Sequence, residues 1–514
     1  MFNIPYLHTI LFSIYPVVTL YSQNLYQVLI KDAFFPAIVM LISAFLLIFV
    51  LRLLSGNTRL ITLAVSLFYL LMFSYGTVSK YMARTGGINE LTGQWLSVFI
   101  IILLYFISLK LLKVNKIHLL GFTSFVNKIS LLIIIIPIVP IVFNFYSGMQ
   151  FRKKALSDIS KTQKVDIGNI GNLPDIYYLI FDRYASQSTL SGYFGFDNSS
   201  FSDYLKNKGF YLAQNSWANY YSSAHSLTSS LNMDYLDNII NSAPAGPDDR
   251  DWTLLYNRLE ENAVAKSLKS IGYKYYHFGS WWWPTGKNRL ADENINLGYL
   301  SEFSARLVDS SILFPLAKKY NFPLLDSRYN QWRRINYQFD RLERIQSENS
   351  PVFVFAHFII PHEPFVFESD GKFLTAQKES QKDINEKYLD QLVFLNGKIK
   401  SFVDIVVNSR GGNSVIILQS DEGPYPVQYE SNKDSFDWTT VDYPLVSQKM
   451  AILNAIYFPD GNYEILKNGL SPVNTFRIIF NRFLGQNLPL LPDRYYLGNM
   501  SQPYNLIEYK KPPQ

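Results

Sequence analysis

Two hydrophobic regimes divide the chain. Up to about residue 146, Leu, Ile, Phe and Val form long runs, whereas from about residue 174 the apolar runs are short and alternate with amphipathic or polar stretches. A bilayer core needs about 20 apolar residues per helix. Segments near 6–22, 34–54, 59–79, 93–112 and 129–146 meet that need, the first least well because it carries Tyr, Thr, Ser and Pro. No small-residue cleavage site follows it, so an uncleaved anchor is expected and not a removed signal peptide.

In the second regime, PDIYYLIFD (174–182) is a near-continuous apolar run, the pattern of a strand covered on both faces. Similar runs at 209–215, 272–279, 351–358, 414–421 and 451–458 predict further strands, with helical segments such as 251–270 and 380–408 between them. That alternation predicts an α/β fold, a mostly parallel sheet covered by helices, preceded by an α-helical transmembrane bundle of about five spans. The expected organisation is a membrane domain at 1–146, a polar juxtamembrane linker at 147–173 and a catalytic domain at 174–514.

Charge adds an orientation. With the N-terminus cytoplasmic, the cytoplasmic loops hold Arg52, Arg59, Lys110, Lys113, Lys116 and Lys128, against Lys31, Lys80 and Arg84 opposite. Five crossings then place the C-terminal domain outside the cytoplasm, so a multi-pass inner-membrane protein with a periplasmic domain is expected. The cluster Arg152, Lys153, Lys154, Lys161 and Lys164 reads either as a solvated linker or as a contact for anionic headgroups. A net charge of +6 without a basic stripe argues against nucleic acid. The absence of cysteine excludes disulfides and thiolate metal sites. The spans carry almost no charge, so nothing marks an ion pathway of a transporter.

The candidate chemistry sits at strand ends. Asp182 follows IYYLIF, and Asp421 with Glu422 follows VIILQS. Alone, each reads as a turn or cap residue; together they suit a shared cation, provided the strands are neighbours. A third element, NYYSSAHSLTSSLNM (219–233), enters a predicted helix through serines. A serine there is either a cap or a nucleophile at a phosphate-binding helix start.

The ordered set of a strand-end Asp, a hydroxyl at a helix start, a PHxPF segment and SDxG after a late strand resembles the alkaline phosphatase/sulfatase superfamily. The membrane part ahead of the domain is similar to lipoteichoic acid synthase and lipid A phosphoethanolamine transferase. The resemblance, over roughly 174–460, implies an alkaline phosphatase-like fold with Ser223 as nucleophile and His362 of IPHEPF facing the leaving group. It implies Asp182, Ser223, Asp421 and Glu422 as ligands of one divalent cation. His225, Trp281 and Lys287 are candidates for substrate binding.

Departures from the family narrow the reading. His225 and Leu227 replace the Pro and Arg that formylglycine conversion requires, and Ser280 in GYKYYHFGSW replaces a sulfate-binding lysine. No histidine follows Glu422, which argues against a two-zinc phosphatase. An all-oxygen shell favours Mg²⁺, Mn²⁺ or Ca²⁺. His277 and His357, inside predicted strands, read first as hydrogen-bonded core histidines. The function expected is a membrane-anchored transferase moving a phosphoryl-linked headgroup from a phospholipid donor to a cell-envelope glycan or lipid acceptor. A sulfatase- or phosphodiesterase-like hydrolase and a non-catalytic envelope-assembly protein are the alternatives.

Overall fold

The seven residues of DIYYLIF, β1 (Asp175–Phe181), are all buried. Tyr177, Leu179 and Phe181 enter one apolar cluster, and Ile176, Tyr178 and Ile180 enter another. A strand with a core on each face must be central. In this computed structural model, which describes residues 4–54, 56–85, 90–114, 119–158, 173–240, 249–298, 300–345, 350–408, 413–426 and 436–512, it is. The other strands of its sheet are β2 (Tyr211–Leu212), β3 (Lys274–Phe278), β4 (Glu293–Ile295), β5 (Val352–Phe358), β6 (Ser414–Gln419) and β7 (Asn454–Tyr457). Their order is β2-β7-β6-β1-β5-β3-β4. β1 runs parallel to β5 and β6, and β3 runs parallel to β5 and β4. β7 and β2 at one edge pair antiparallel.

The expected mostly parallel α/β sheet is therefore present. β4 and the separate pair β8 (Tyr495–Leu497) and β9 (Ile507–Tyr509) were not anticipated, because three residues carry too little periodicity to be read. The helix expected at 251–270 is two helices, Thr253–Glu260 and Ala263–Ser270. Asn262 separates them, its side chain accepting from the Ala265 N–H at 2.8 Å as an N-cap.

The chain forms two compact units, Met1–Gln150 with Tyr299–Asn330, and Phe151–Gly298 with Gln331–Gln514. The first contains α1 (Leu7–Gln23), α2 (Ile30–Leu54), α3 (Thr58–Thr85), α4 (Glu90–Val114) and the start of α5 (Leu119–Asp158). Among the described residues, four helices are long and apolar enough to cross a membrane: Ile30–Leu54, Thr58–Met82, Thr92–Leu111 and Leu119–Phe145. α1, at 17 residues with Pro16 inside, is the shortest of the five expected spans. Buried polar groups join these helices: His8 Nδ1 lies 2.6 Å from Ser66 Oγ, and the His8 N–H donates to Asn127 Oδ1 at 2.9 Å.

Two boundaries differ from expectation. α5 continues to Asp158, so the first part of the expected linker is helical; residues 159–172, with Lys161 and Lys164, lie outside the described residues, as do Lys116 and His118. Residues 300–330, expected inside the C-terminal domain, cluster with the membrane unit. Phe303 and Leu307 of the helix Glu302–Asp309 pack with Val17, Tyr21, Leu25 and Ala33.

Candidate metal and nucleophile site

The sheet order supplies the condition that spacing alone left open. β1 lies between β5 and β6, with Ile180 in register with both His357 and Gln419. The residues at and just beyond these positions thus meet at one carboxyl edge, where open α/β sheets place their sites. Asp182, His357 and Asp421 converge there, each offering one ligand atom, all within 4.8 Å of one another. His357 Nε2 is 3.5 Å from Asp182 Oδ2 and 3.7 Å from Asp421 Oδ2.

Backbone geometry holds each acid. The Asp182 N–H donates to the Phe358 carbonyl at 3.0 Å, and its own carbonyl accepts from the His362 N–H at 3.2 Å. Arg183 then reverses the chain at φ 64°, a conformation rare outside glycine. After Asp421, the Gly423 N–H donates to the Lys449 carbonyl at 2.7 Å. A Cβ on Gly423 would stand 2.3 Å from the Gln448 carbonyl oxygen, so the close approach requires glycine there.

His357 is oriented by hydroxyls. Ser280 Oγ donates to the Trp282 carbonyl at 3.2 Å. The Thr285 hydroxyl therefore donates to Ser280 Oγ at 2.8 Å and accepts from His357 Nδ1–H at 2.9 Å. That order leaves the Nε2 lone pair of the neutral ring pointing at the two carboxylates, the arrangement of a metal-ligating histidine held through its other nitrogen. Ser280, expected only as a lost lysine, is thus part of the support for His357.

The cluster fits a cation. Asp182 Oδ1, both Asp421 carboxylate oxygens and His357 Nε2 are buried without a hydrogen-bond partner among the described residues. Buried charged oxygens are costly unless paired or coordinating. Burial, the nearby Asp182 charge and Glu422 push the Asp421 carboxyl up to about 7, against the opposing effects of His357 and the Ser223 hydroxyl beside it. Burial works to raise Asp182 as well, yet His362, His357 and Arg183 hold it down at about 2. Burial alone would lower His357, but Asp182 and Asp421 raise it.

Ser223, half-buried, is the first residue of the helix Ser223–Asn232. The preceding Ser222 does not cap that helix; its hydroxyl pairs with His225 Nδ1 at 2.5 Å. The first-turn N–H groups are thereby left without a side-chain cap, next to the Asp421 carboxylate.

The remaining candidates divide. His362 is half-buried, with Nδ1 donating to the Glu363 carbonyl and lying 3.4 Å from Glu363 Oε2. Trp281 is half-buried with its ring 6.3 Å from that of His362. His225 is fully buried, both ring nitrogens engaged by Ser222 and the Pro503 carbonyl, and flanked by Tyr220, Tyr221 and Trp252. Its surroundings are those of a packing residue. Lys287 is exposed, unlike the buried cluster. Glu422 stands outside the cluster: Arg183 Nε and Lys449 Nζ meet its Oε1 at 3.1 and 2.6 Å. Arg183 reaches on to Glu363 at 2.5 Å. Lys449 is fully buried, its Nζ 4.0 Å from the centre of the Tyr425 ring. Burial lowers Lys449 to about 8, against the pull of Glu422.

Two features escaped the sequence reading. From sequence His357 reads as a core histidine; its place on a strand five residues before His362 is the available signal. Its nitrogen adds a non-oxygen donor to the candidate set. The partners of Glu422, Arg183 and Lys449, had no signal beyond the adjacency of Arg183 to Asp182.

No protein-family model and no curated protein sequence matches the chain. Among solved structures, it is similar to the C-terminal periplasmic domain of EcEptC from Escherichia coli in complex with Zn, at 12% identity over 67% of this chain and 96% of that one, with a TM-score of 0.44. It is similar to the C-terminal periplasmic domain of phosphoethanolamine transferase EptC from Campylobacter jejuni, at 14% identity over 63% and 93%, with a TM-score of 0.36. The soluble domain of lipooligosaccharide phosphoethanolamine transferase A from Neisseria meningitidis matches at 12% identity over 61% and 89%, with a TM-score of 0.37. The chain is also similar to the putative sulfatase yidJ from Bacteroides fragilis, at 13% identity over 65% of this chain and 83% of that one, with a TM-score of 0.37.

Proposed function

We propose that the chain is a membrane-anchored transferase that moves a phosphoryl-linked headgroup from a phospholipid to a hydroxyl of a cell-envelope glycan or lipid, through a covalent intermediate on Ser223. The observation that carries this reading is the half-buried Ser223 hydroxyl at an uncapped helix start, beside the carboxylate of a buried Asp182–His357–Asp421 cluster.

Asp182, Asp421 and His357 Nε2, with Ser223 Oγ beside them, would hold one divalent cation. Three oxygens and one imidazole nitrogen suit Mn²⁺ or Zn²⁺ as well as Mg²⁺. Bound there, such an ion supplies a lowered pKa for a neighbouring hydroxyl and positive charge for phosphoryl oxygens. Ser223 Oγ forms the new bond to phosphorus as its proton passes to water. The first-turn N–H groups of its helix stabilise the phosphoryl oxygens. The bond from phosphorus to the glycerol oxygen of the lipid breaks, and His362 gives that oxygen a proton. In the second half, the acceptor hydroxyl surrenders its proton to His362 and attacks the phosphoserine. Ser223 Oγ leaves and takes a proton back from water. The membrane helices raise the effective concentration of a lipid donor at the site.

Purified full-length protein, incubated with phosphatidylethanolamine or phosphatidylglycerol and a divalent cation, is expected to release diacylglycerol, and Ser223→Ala to release none. Release at equal rates by both proteins, or by neither with any of Mg²⁺, Mn²⁺, Ca²⁺ and Zn²⁺, overturns the assignment. Turnover of a soluble aryl phosphate or sulfate ester with no lipid cleavage would favour the hydrolase instead.

A further inference from the structure

Residues 300–330 interrupt the chain of the sheet-bearing unit and cluster with the membrane helices. Among the described residues, apolar contacts hold them to α1, α2, α3 and α4. Phe303 and Leu307 pack near the end of α1 and the start of α2, against Tyr21, Leu25 and Ala33. Ile312 and Phe314 pack against Tyr75 of α3 and Val98 of α4. The bond to α3 is made by backbone. The Gly76 N–H donates to the Ser310 carbonyl at 3.3 Å, and the Ile312 N–H donates to the Met72 carbonyl at 3.1 Å. In an undisturbed helix Gly76 and Met72 pair with each other. A Cβ at position 76 would stand 3.3 Å from the Ser310 oxygen, so glycine permits the approach.

This seat has a definite depth. The apolar stretch of α3 runs to Met82, six residues beyond Gly76 and so about 9 Å along the helix axis. The Ser310 contact is therefore seated about 9 Å short of the end of that stretch. From there the helix Leu313–Tyr320 turns outward at Asn321, φ 48°. Its tip exposes Tyr320, Phe322 and Leu324 at 59, 49 and 59%. Lys319 stands at the same tip, its Nζ 4.9 Å from the centre of the Trp95 ring at the start of α4. Lys318 precedes it. Large exposed apolar groups beside lysines and aromatic rings, at the mouth of a membrane bundle, are the composition of an interfacial element.

We propose that residues 313–326 form an interfacial strap. Its Tyr320–Leu324 tip enters the headgroup layer of the leaflet at which α1 ends and α2 begins, and Lys318 and Lys319 meet phospholipid phosphates. This inference is independent of the transferase reading.

The natural absence of cysteine makes a clean test available. Phe322→Cys and Leu324→Cys, each carrying a nitroxide, are placed in full-length protein in phosphatidylethanolamine/phosphatidylglycerol nanodiscs. Phe99→Cys in α4, 62% exposed, is the lipid reference, and Lys372→Cys, with a 74% exposed side chain, is the water reference. Both tip labels are expected to show a ratio of oxygen to water-soluble nickel chelate collisions above that of Lys372→Cys and towards that of Phe99→Cys. A ratio equal to the water reference overturns the proposal. Protection from both reagents also overturns it, because the tip would then be covered by protein, such as a second copy. Neither substitution removes a buried contact, so misfolding does not stand in for either result.

Discussion

Removing the cation should make the protein less stable as pH rises from 5 to 8. Asp421 has a side chain that is 0% exposed, and its carboxyl is pushed from 3.8 up to about 7 by burial and by Asp182. A group whose folded pKa lies above its unfolded one contributes stability below the unfolded value and loses it as pH rises through the folded value. At about 1.4 kcal/mol per pH unit, the two units from pH 5 to about 7 correspond to a loss of about 3 kcal/mol between pH 5 and pH 8. His357, also raised, adds in the same direction. Asp182, held at about 2, loses its contribution only below pH 4, outside the window. A bound cation at 100 times its dissociation constant returns about 2.7 kcal/mol. The assay is thermal unfolding of detergent-solubilised protein in chelator, at pH 5 and pH 8, with and without Mn²⁺ or Zn²⁺. Asp421→Asn should flatten the pH dependence and remove the rescue by metal. A chelated parent equally stable at both pH values, or an Asp421→Asn variant with the parent's profile, would refute the reasoning.

Three further outcomes separate the ligands from their neighbours. By calorimetric titration with Mn²⁺ and Zn²⁺, His357→Ala and Asp182→Ala should lose binding, whereas Glu422→Gln should retain it; loss in Glu422→Gln would make that residue a ligand after all. Thr285→Val removes the partner of His357 Nδ1 and should weaken metal affinity about 10–100-fold without abolishing it, and an unchanged affinity would show that the hydroxyl does not orient the ring. In a double-mutant cycle read by unfolding, Glu422→Gln and Lys449→Met should be coupled by about 1–3 kcal/mol, since the pair is buried at 2.6 Å; simple additivity would mean that Arg183 alone neutralises Glu422.

The fold was legible where pattern is strong. β1 reads as a central strand because its alternate residues are apolar on both faces, and β3, β5, β6 and β7 read likewise. The three-residue strands were beyond reach for want of periodicity. Apolar periodicity also names a helix face without naming its partner. The helices Glu302–Asp309 and Leu313–Tyr320 thus appeared as parts of the domain around them, although Phe303 and Leu307 pack on α1 and α2.

For the site, the strand-end pattern points to Asp182 and Asp421, which the structure brings together, but not to His357, the third residue of the cluster. His357 lies in an apolar strand, where a histidine is usually a packing residue; only the adjacency of β5 to β1 brings it to Asp182. Glu422 shows the opposite limit. Position beside Asp421 suggested a ligand, whereas Lys449, distant in sequence, supplies its charge partner. His225 showed the same limit, since Ser222 and Pro503 engage its ring within the packing.

The central claim is that Ser223 becomes covalently modified. Full-length protein mixed with phosphatidylethanolamine or phosphatidylglycerol and a divalent cation, quenched in acid and digested, should give a peptide containing Ser223 heavier by the phosphoryl headgroup of the donor, and chelated protein should give none. Headgroup transfer that proceeds with Ser223 unmodified at every time point, or a headgroup found on another residue, would contradict the account.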